Sequence, residues 1–342
     1  MRTVWTICLI LFIVIIGFFG DLILYGVQQG IGQAKIIYRA EEVSDVLSNA
    51  NTPDSVKLKL NFIQQVRAYA QDSLGLNDSK NYTSFFDQEG KDLMWVVQAC
   101  PEFSLEAYTW NYGFLGRLPY RGYFDSLLSA KLSKQLWDEG YDVDVSPVQA
   151  WSTLGWFRDP ILSNMLDEDE GMLARLVIHE LTHATLYVDG DAEFNENLAT
   201  FVGDRGAYLF LEDKFGLDSK EYEDYANRMN DVDLFVDAGL DEYKKLKALY
   251  ASFNDEMRLW RKRELKQQFF QNALKRMKQV PFSNKNRFRL LAQDSITANN
   301  TILTGLGLYR KQQNSMDSAF REGYDSDFDL FIAGMKKEYG KE

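Results

Sequence analysis

The chain has two histidines among its 342 residues, His179 and His183, and they stand four apart in the run His179-Glu180-Leu181-Thr182-His183. Residues i and i+4 of a helix share one face, with Cβ atoms about 5–6 Å apart, so two imidazoles at this spacing converge on one ion. Glu180, next to His179, reaches the water that such an ion binds. That is the mechanical content of the His-Glu-x-x-His pattern: two zinc ligands and a general base. The flanking residues Leu176, Val177, Ile178 and Leu181 are apolar. A buried imidazole without a partner is costly, so the confinement of both histidines to one turn favours ligation over a chance occurrence on a buried helix. The two cysteines, Cys8 and Cys100, provide neither a disulfide framework nor a thiolate zinc site.

A catalytic zinc takes three protein ligands and leaves a position open, and with no third histidine the third ligand must be a carboxylate. After the turn Asp189-Gly190-Asp191 the chain reads Glu193-Phe194-Asn195-Glu196-Asn197-Leu198-Ala199-Thr200. Glu196 is preferred over Glu193, Asp189 and Asp191 because it falls on a helix rather than in the turn, and rigid elements hold ligand geometry better. Ala199 and Thr200 leave room for the histidine helix to approach. The Asn-Glu pair followed by small residues resembles the third-ligand helix of the gluzincin metallopeptidases, the class that includes thermolysin.

These residues need helices to position them, and helical periodicity dominates the chain, around Lys57–Tyr69, Phe124–Trp137, Leu173–Val188 and Glu196–Phe215. Strand signals are short, at Leu93–Val97 and Tyr141–Val145, and Val148–Phe157 could continue a small sheet. Ser219–Lys278 reads as helical and heavily charged, largely as solvated faces, and Pro281–Arg287 as a break before a last pair of helices. Thr3–Gly20 is uncharged and just long enough to span a bilayer, and it lacks a small-residue cleavage signature, which favours an uncleaved anchor over a signal peptide. Arg2 and the α-amino group would hold the N-terminus in the cytoplasm. The expected organisation is residues 1–26 as membrane anchor or signal segment and 27–342 as a zinc peptidase body, with active-site helices at 173–215 and a charged helical part at 219–342. The expected fold is α+β, predominantly α-helical and gluzincin-like, with a small sheet and an N-terminal transmembrane helix. A net charge of −12, from 38 basic and 50 acidic residues, argues against a nucleic-acid partner.

Beyond the histidine helix, several blocks together resemble the predicted bacterial aminopeptidases. They are Pro101-Glu102-Phe103-Ser104-Leu105, Tyr120-Arg121-Gly122-Tyr123-Phe124, Gly140-Tyr141-Asp142-Val143, Ser152-Thr153-Leu154-Gly155-Trp156-Phe157 with Asp159-Pro160, Phe194-Asn195-Glu196 with Ala199-Thr200-Phe201-Val202, Asn299-Asn300 and Tyr309. The family's two cysteines before the Tyr-Arg-Gly-Tyr-Phe block are Asn111 and Arg117 here, consistent with the loss of a disulfide. Its acidic residue after Ala-Thr-x-Val is Gly203, with Asp204 one step along, so Thr200 or Asp204 stands as the residue that orients a histidine. The lipid-bearing N-terminal cysteine of many members has no counterpart, and the apolar run takes its place as anchor.

The resemblance and the motif together imply a zinc peptidase of the bacterial inner membrane, single-pass, with its catalytic part facing the periplasm and acting on peptides. Glu180 takes a proton from water and passes it to the leaving amine. The oxyanion needs a further donor, and the candidates are Arg121, Tyr123 and, from the family block alone, Tyr309. Glu102 and Glu193 are candidate binders of a substrate amine. An endopeptidase of the same class, or a catalytically silent zinc-stabilised scaffold, are the alternatives, and the presence of Glu180 argues against the scaffold.

Overall fold

The computed structural model describes residues 2–112, 116–148, 158–304 and 313–340. Eleven α-helices are assigned among them: α1 (Arg2–Arg39), α2 (Val43–Ser48), α3 (Asp54–Asp72), α4 (Ser126–Asp138), α5 (Glu170–Thr185), α6 (Ala192–Phe215), α7 (Lys220–Ala251), α8 (Leu259–Met277), α9 (Thr301–Thr304), α10 (Gln313–Ser318) and α11 (Phe328–Tyr339). Caps set several starts. Asp125 accepts from the Leu127 N–H at 2.8 Å to open α4, and Asp327 accepts from Leu330 N–H at 3.0 Å to open α11, the bonds that satisfy a helix's orphan donors.

Eight short strands complete the described residues. β1 (Glu41–Glu42), β2 (Ser84–Phe86) and β8 (Ile161–Leu162) form one sheet in the order β1-β2-β8. β3 (Trp95–Pro101), β6 (Arg121–Tyr123) and β7 (Tyr141–Pro147) form a second, antiparallel sheet with β3 in the middle, matching the alternation read at Tyr141–Val145. β4 (Trp110–Asn111) and β5 (Arg117–Leu118) make a hairpin in which Asn111 pairs directly with Arg117. The two positions where the resembled family carries cysteines are therefore cross-strand partners, the separation a disulfide bridges. Here Arg117 reaches the Thr109 hydroxyl at 2.9 Å. Residues 149–157, on which a continuing strand and one family block fall, lie outside the described residues.

Three apolar cores follow. The first joins α3, α5, α6 and the N-terminal part of α7 to Phe320, Phe328, Phe331 and Ile332 at the end of the chain. The second joins the C-terminal part of α7 to α8 and residues 282–303, and the third lies between the β3 sheet and α4. α7 is common to the first two: Tyr225 is buried in one and Leu246 in the other. Arg228, between them, bonds Glu168 at 2.9 Å and Asp169 at 2.7 Å, beside the start of α5.

The first helix overturns the expectation of a membrane anchor. Among the described residues no helix is long and apolar enough to cross a membrane. The apolar run does not close as an element at Gly20. One unbroken helix continues through Gln28, Gln29, Gln33 and Lys35 to Arg39, and this polar half docks on the body. Gln33 and Ile36 are buried, and Tyr25 donates to the Gly122 carbonyl at 2.9 Å. Gly32 lies so close to Phe124 that a Cβ there would stand 2.1 Å from its ring. The inner-membrane, periplasm-facing placement rested on that anchor and is corrected with it.

Candidate metal centre

The centre is built where α5 and α6 run side by side. Asp169 caps α5, accepting from the Met172 N–H at 2.9 Å, and Asp191 caps α6, accepting from the Phe194 N–H at 3.0 Å. Asp191, considered as a ligand from the sequence, is thus used as a cap, and Glu193 is exposed in the first turn of α6. Asn195, 2% exposed, uses both ends of its amide on one residue of the connecting turn: its Oδ1 accepts from the Val188 N–H and its Nδ2 donates to the Val188 carbonyl, each at 2.8 Å. This clamp fixes the start of α6 against the end of α5, and Glu196 is the next residue. Further along, Gly203 allows the helices to close. A Cβ there would lie 3.0 Å from the Arg175 carbonyl oxygen and 3.2 Å from the Cβ of His179.

His179 Nε2 lies 3.6 Å from one Glu196 oxygen and His183 Nε2 lies 3.6 Å from the other. The imidazoles are nearly perpendicular, with ring centroids 4.9 Å apart. The three ligand atoms all fall within 4.8 Å of one another, and this group could hold a metal ion. A separation of 3.6 Å is long for a hydrogen bond, but two donors each about 2.1 Å from a tetrahedral zinc stand about 3.4 Å apart. The protonation states suit ligation as well. Burial, with the charge of His179 beside it, pushes the His183 imidazole down to about 4, so its nitrogen lone pair is free to bind. Burial works to raise the Glu196 carboxyl, but the facing imidazoles outweigh it and leave the carboxyl below its usual range. The Glu196 side chain is 65% exposed, so the centre opens to solvent on that side. Glu180 is 9% exposed on the histidine helix.

The remaining sequence candidates are dispersed. Asp204 pairs with Arg175 rather than with an imidazole, and burial raises its carboxyl against the pull of that arginine. Thr200 is buried, and the Nδ1 atoms of His179 and His183 have no hydrogen-bond partner among the described residues. Arg121 stacks its guanidinium over Tyr25 at 4.4 Å and lies 5.7 Å from the Tyr123 ring centre, and Tyr123 is buried beneath the sheet. Tyr309 lies outside the described residues. Glu102 is taken by Arg263, which it accepts at 2.6 and 3.1 Å.

Two tyrosines not singled out in the sequence are coupled to the centre. Tyr187, just past the end of α5, packs edge-on against His183 with centroids 6.2 Å apart. Tyr120, immediately before β6, is 41% exposed, and burial of its hydroxyl together with the Glu196 charge pushes its pKa up to about 12. Tyr120 was visible only as the first letter of a family block, with no spacing to link it to a helix 76 residues away.

The chain belongs to the family described as "Putative aminopeptidase", whose model matches residues 24–340. At this coarse level it is a peptidase of the aminopeptidase kind. No curated protein and no solved structure matches it.

Proposed function

We propose that the protein is a zinc-dependent aminopeptidase in which His179, His183 and Glu196 hold the metal and Glu180 is the general base. The convergence of two Nε2 atoms and one carboxylate at 3.6 Å, with a buried glutamate on the same helix, carries this reading. Three donors are the number of a catalytic site, whereas closed structural sites use four. Zinc, when bound, supplies Lewis acidity that polarises the scissile carbonyl and makes water acidic. The chain's own residues do the rest. His179 and His183 offer their Nε2 atoms from one rigid helix, and the Asn195 clamp sets the Glu196 carboxylate opposite them. The Glu180 carboxylate accepts a proton from the attacking water and delivers it to the leaving amine. Burial and the Glu196 charge keep the Tyr120 hydroxyl protonated at neutral pH, which suits it to donate to a developing oxyanion.

The test compares wild type with Glu180→Gln, which is nearly isosteric but accepts no proton. The variant is expected to keep its metal and fold while peptide hydrolysis falls on the order of 100 to 10,000-fold. Aminopeptidase assays on peptide libraries with parallel zinc analysis read both. Wild-type rates in the variant, or a wild type that binds zinc and cleaves nothing, would remove the reading in favour of a zinc-stabilised scaffold.

A further inference from the structure

The docked half of α1 has two opposite sides, and only one of them meets the body. At 3.6 residues per turn Tyr25, Gly32, Gln33 and Ile36 share a side, on which Gln33 and Ile36 are buried and Gly32 lies against the Phe124 ring. On the far side Leu24, Val27, Ile31 and Tyr38 are each more than half exposed, Tyr38 at 91%. Ala34 is exposed between the last two, and Gly20 precedes the first. The intervals along Gly20, Leu24, Val27, Ile31, Ala34 and Tyr38 are four, three, four, three and four, the alternation by which a helix holds one seam against a partner helix. Asp21, Gln28, Gln29, Gln33, Lys35 and Arg39 all fall off this seam, so it carries neither charge nor amide. It is also open: a Cβ added at Gly30, at its border, meets no atom within 4 Å. An apolar stripe of this length on the outside of a protein marks an interaction surface.

Side-chain sizes along the seam are self-complementary when two copies run in opposite directions. With Val27 facing Ile31 of the second copy, Leu24 faces Ala34 and Tyr38 faces Gly20, so large residues meet small ones at both ends, as close packing between helices requires. The same register sets position 21 across from position 35, where the sequence has Asp21 and Lys35, and two-fold symmetry makes that pairing twice. A parallel pair would set Tyr38 on Tyr38 and Gly20 on Gly20, and would face both charged positions with uncharged ones. The contacts that dock α1 on its own body lie on the side away from the seam and leave it accessible.

We propose that the partner of this face is a second copy of the chain: two α1 helices pair antiparallel through the seam, centred beside Gln28, and join two molecules into a symmetric dimer. The contact is isologous, so it closes on itself and stops at two copies.

Sedimentation equilibrium of the full chain at micromolar concentration tests it. The wild type is expected at twice the 39.5 kDa of one chain. Ile31→Glu is expected at a single chain's mass with unchanged helical circular dichroism, since Ile31 is 66% exposed and stands outside the three cores. Asp21→Lys and Lys35→Asp each set like charges across the pair and are expected to weaken association at least about 10-fold, whereas the chain carrying both substitutions recovers it. Crosslinking reads the direction, with Cys8 replaced by serine and Cys100 left buried. Gly30→Cys is expected to form an intermolecular disulfide on mild oxidation, because position 30 faces itself in the antiparallel pair; Leu24→Cys, which faces itself in a parallel one, is not. A monomeric wild type leaves the face to a helix of another protein and overturns the proposal. So does a dimer that persists in Ile31→Glu, a double charge variant as weak as the single ones, or crosslinking through Leu24→Cys in place of Gly30→Cys.

Discussion

Asn195 engages both the N–H and the carbonyl of Val188 with one amide, and the adjacent Glu196 inherits its position from that clamp. Truncation to alanine leaves the Val188 N–H and carbonyl without their partner and frees the start of α6. Asn195→Ala is expected to cost about 1–3 kcal/mol in unfolding free energy and to weaken zinc binding by about 10 to 100-fold. Denaturant titration and competition with a zinc chelator measure the two. At this scale the sequence was most informative where chemistry depends on spacing: the four-residue interval of His179 and His183 placed two donors on one face without knowledge of any other element. The role of Asn195 was half legible, as the first member of an Asn-Glu pair, but its partner lies in a turn that no periodicity describes. Tyr187 was illegible as a site residue, because it is brought against His183 by the end of α5 rather than by a helix face.

Several blocks that the sequence groups by resemblance turn out to be mechanical rather than chemical. Pro101–Leu105, Gly140–Val143 and Asn299-Asn300 meet at one buried node joining the β3 sheet to α8. Lys266 donates to both Asp142 oxygens, at 2.8 and 2.6 Å, and to the Glu102 carbonyl at 2.8 Å. The Asn300 amide donates to the carbonyls of Pro101, Glu102 and Ser104 at 2.9, 3.1 and 2.9 Å, and Asn299 donates to Val143 at 2.9 Å. Both charges are nearly excluded from solvent. Removing one partner of such a pair strands the other, whereas an apolar pair of similar volume avoids that penalty. Lys266→Met is expected to destabilise by about 3–5 kcal/mol, and Asp142→Leu with Lys266→Met to recover most of it. Equilibrium denaturation reads the difference, with zinc content unchanged throughout. Residues Lys266 and Asp142 stand 124 positions apart, so nothing in either local sequence announces the pair. The N-terminal helix shows the converse limit: a hydropathy window sees the apolar run, but docking depends on Tyr25, Gln33 and Ile36 further along the same helix.

Over the whole molecule, α7 ties the core around the candidate metal centre to the core built with α8, and a carboxylate secures the second of these. Asp231 of α7 has no exposed surface. It accepts from the Ser283 N–H and hydroxyl at 2.6 and 2.7 Å, from the Asn284 N–H at 3.0 Å and from Arg287 at 3.0 Å. Burial works to raise its carboxyl, but these donors prevail and leave it below the ordinary carboxylate value. A carboxyl lowered on folding stabilises fully above its unfolded pKa, about 4, and that contribution disappears as pH falls through the lower folded value. Stability is therefore expected to decline below about pH 4, and Asp231→Asn to flatten the decline while lowering stability at pH 7. Melting curves across pH 2–7 check both. The mostly helical character with small sheets was legible from periodicity, since long amphipathic helices declare themselves, whereas the membrane-spanning helix expected with it was not found among the described residues. The sharing of α7 between two cores was not, because one helix's pattern does not say which neighbour each stretch faces.

The pairing of Asn111 with Arg117 across the β4–β5 hairpin bears on redox behaviour. A hairpin closed by backbone hydrogen bonds and an arginine contact, instead of by two sulfurs, contains nothing for a thiol reductant to attack. Cys100 is fully buried and its thiol is pushed up to about 12, far from the thiolate form that exchanges or oxidises. In this part of the protein the fold is set without reference to the electron potential of its surroundings, and it holds equally in reducing and oxidising solution.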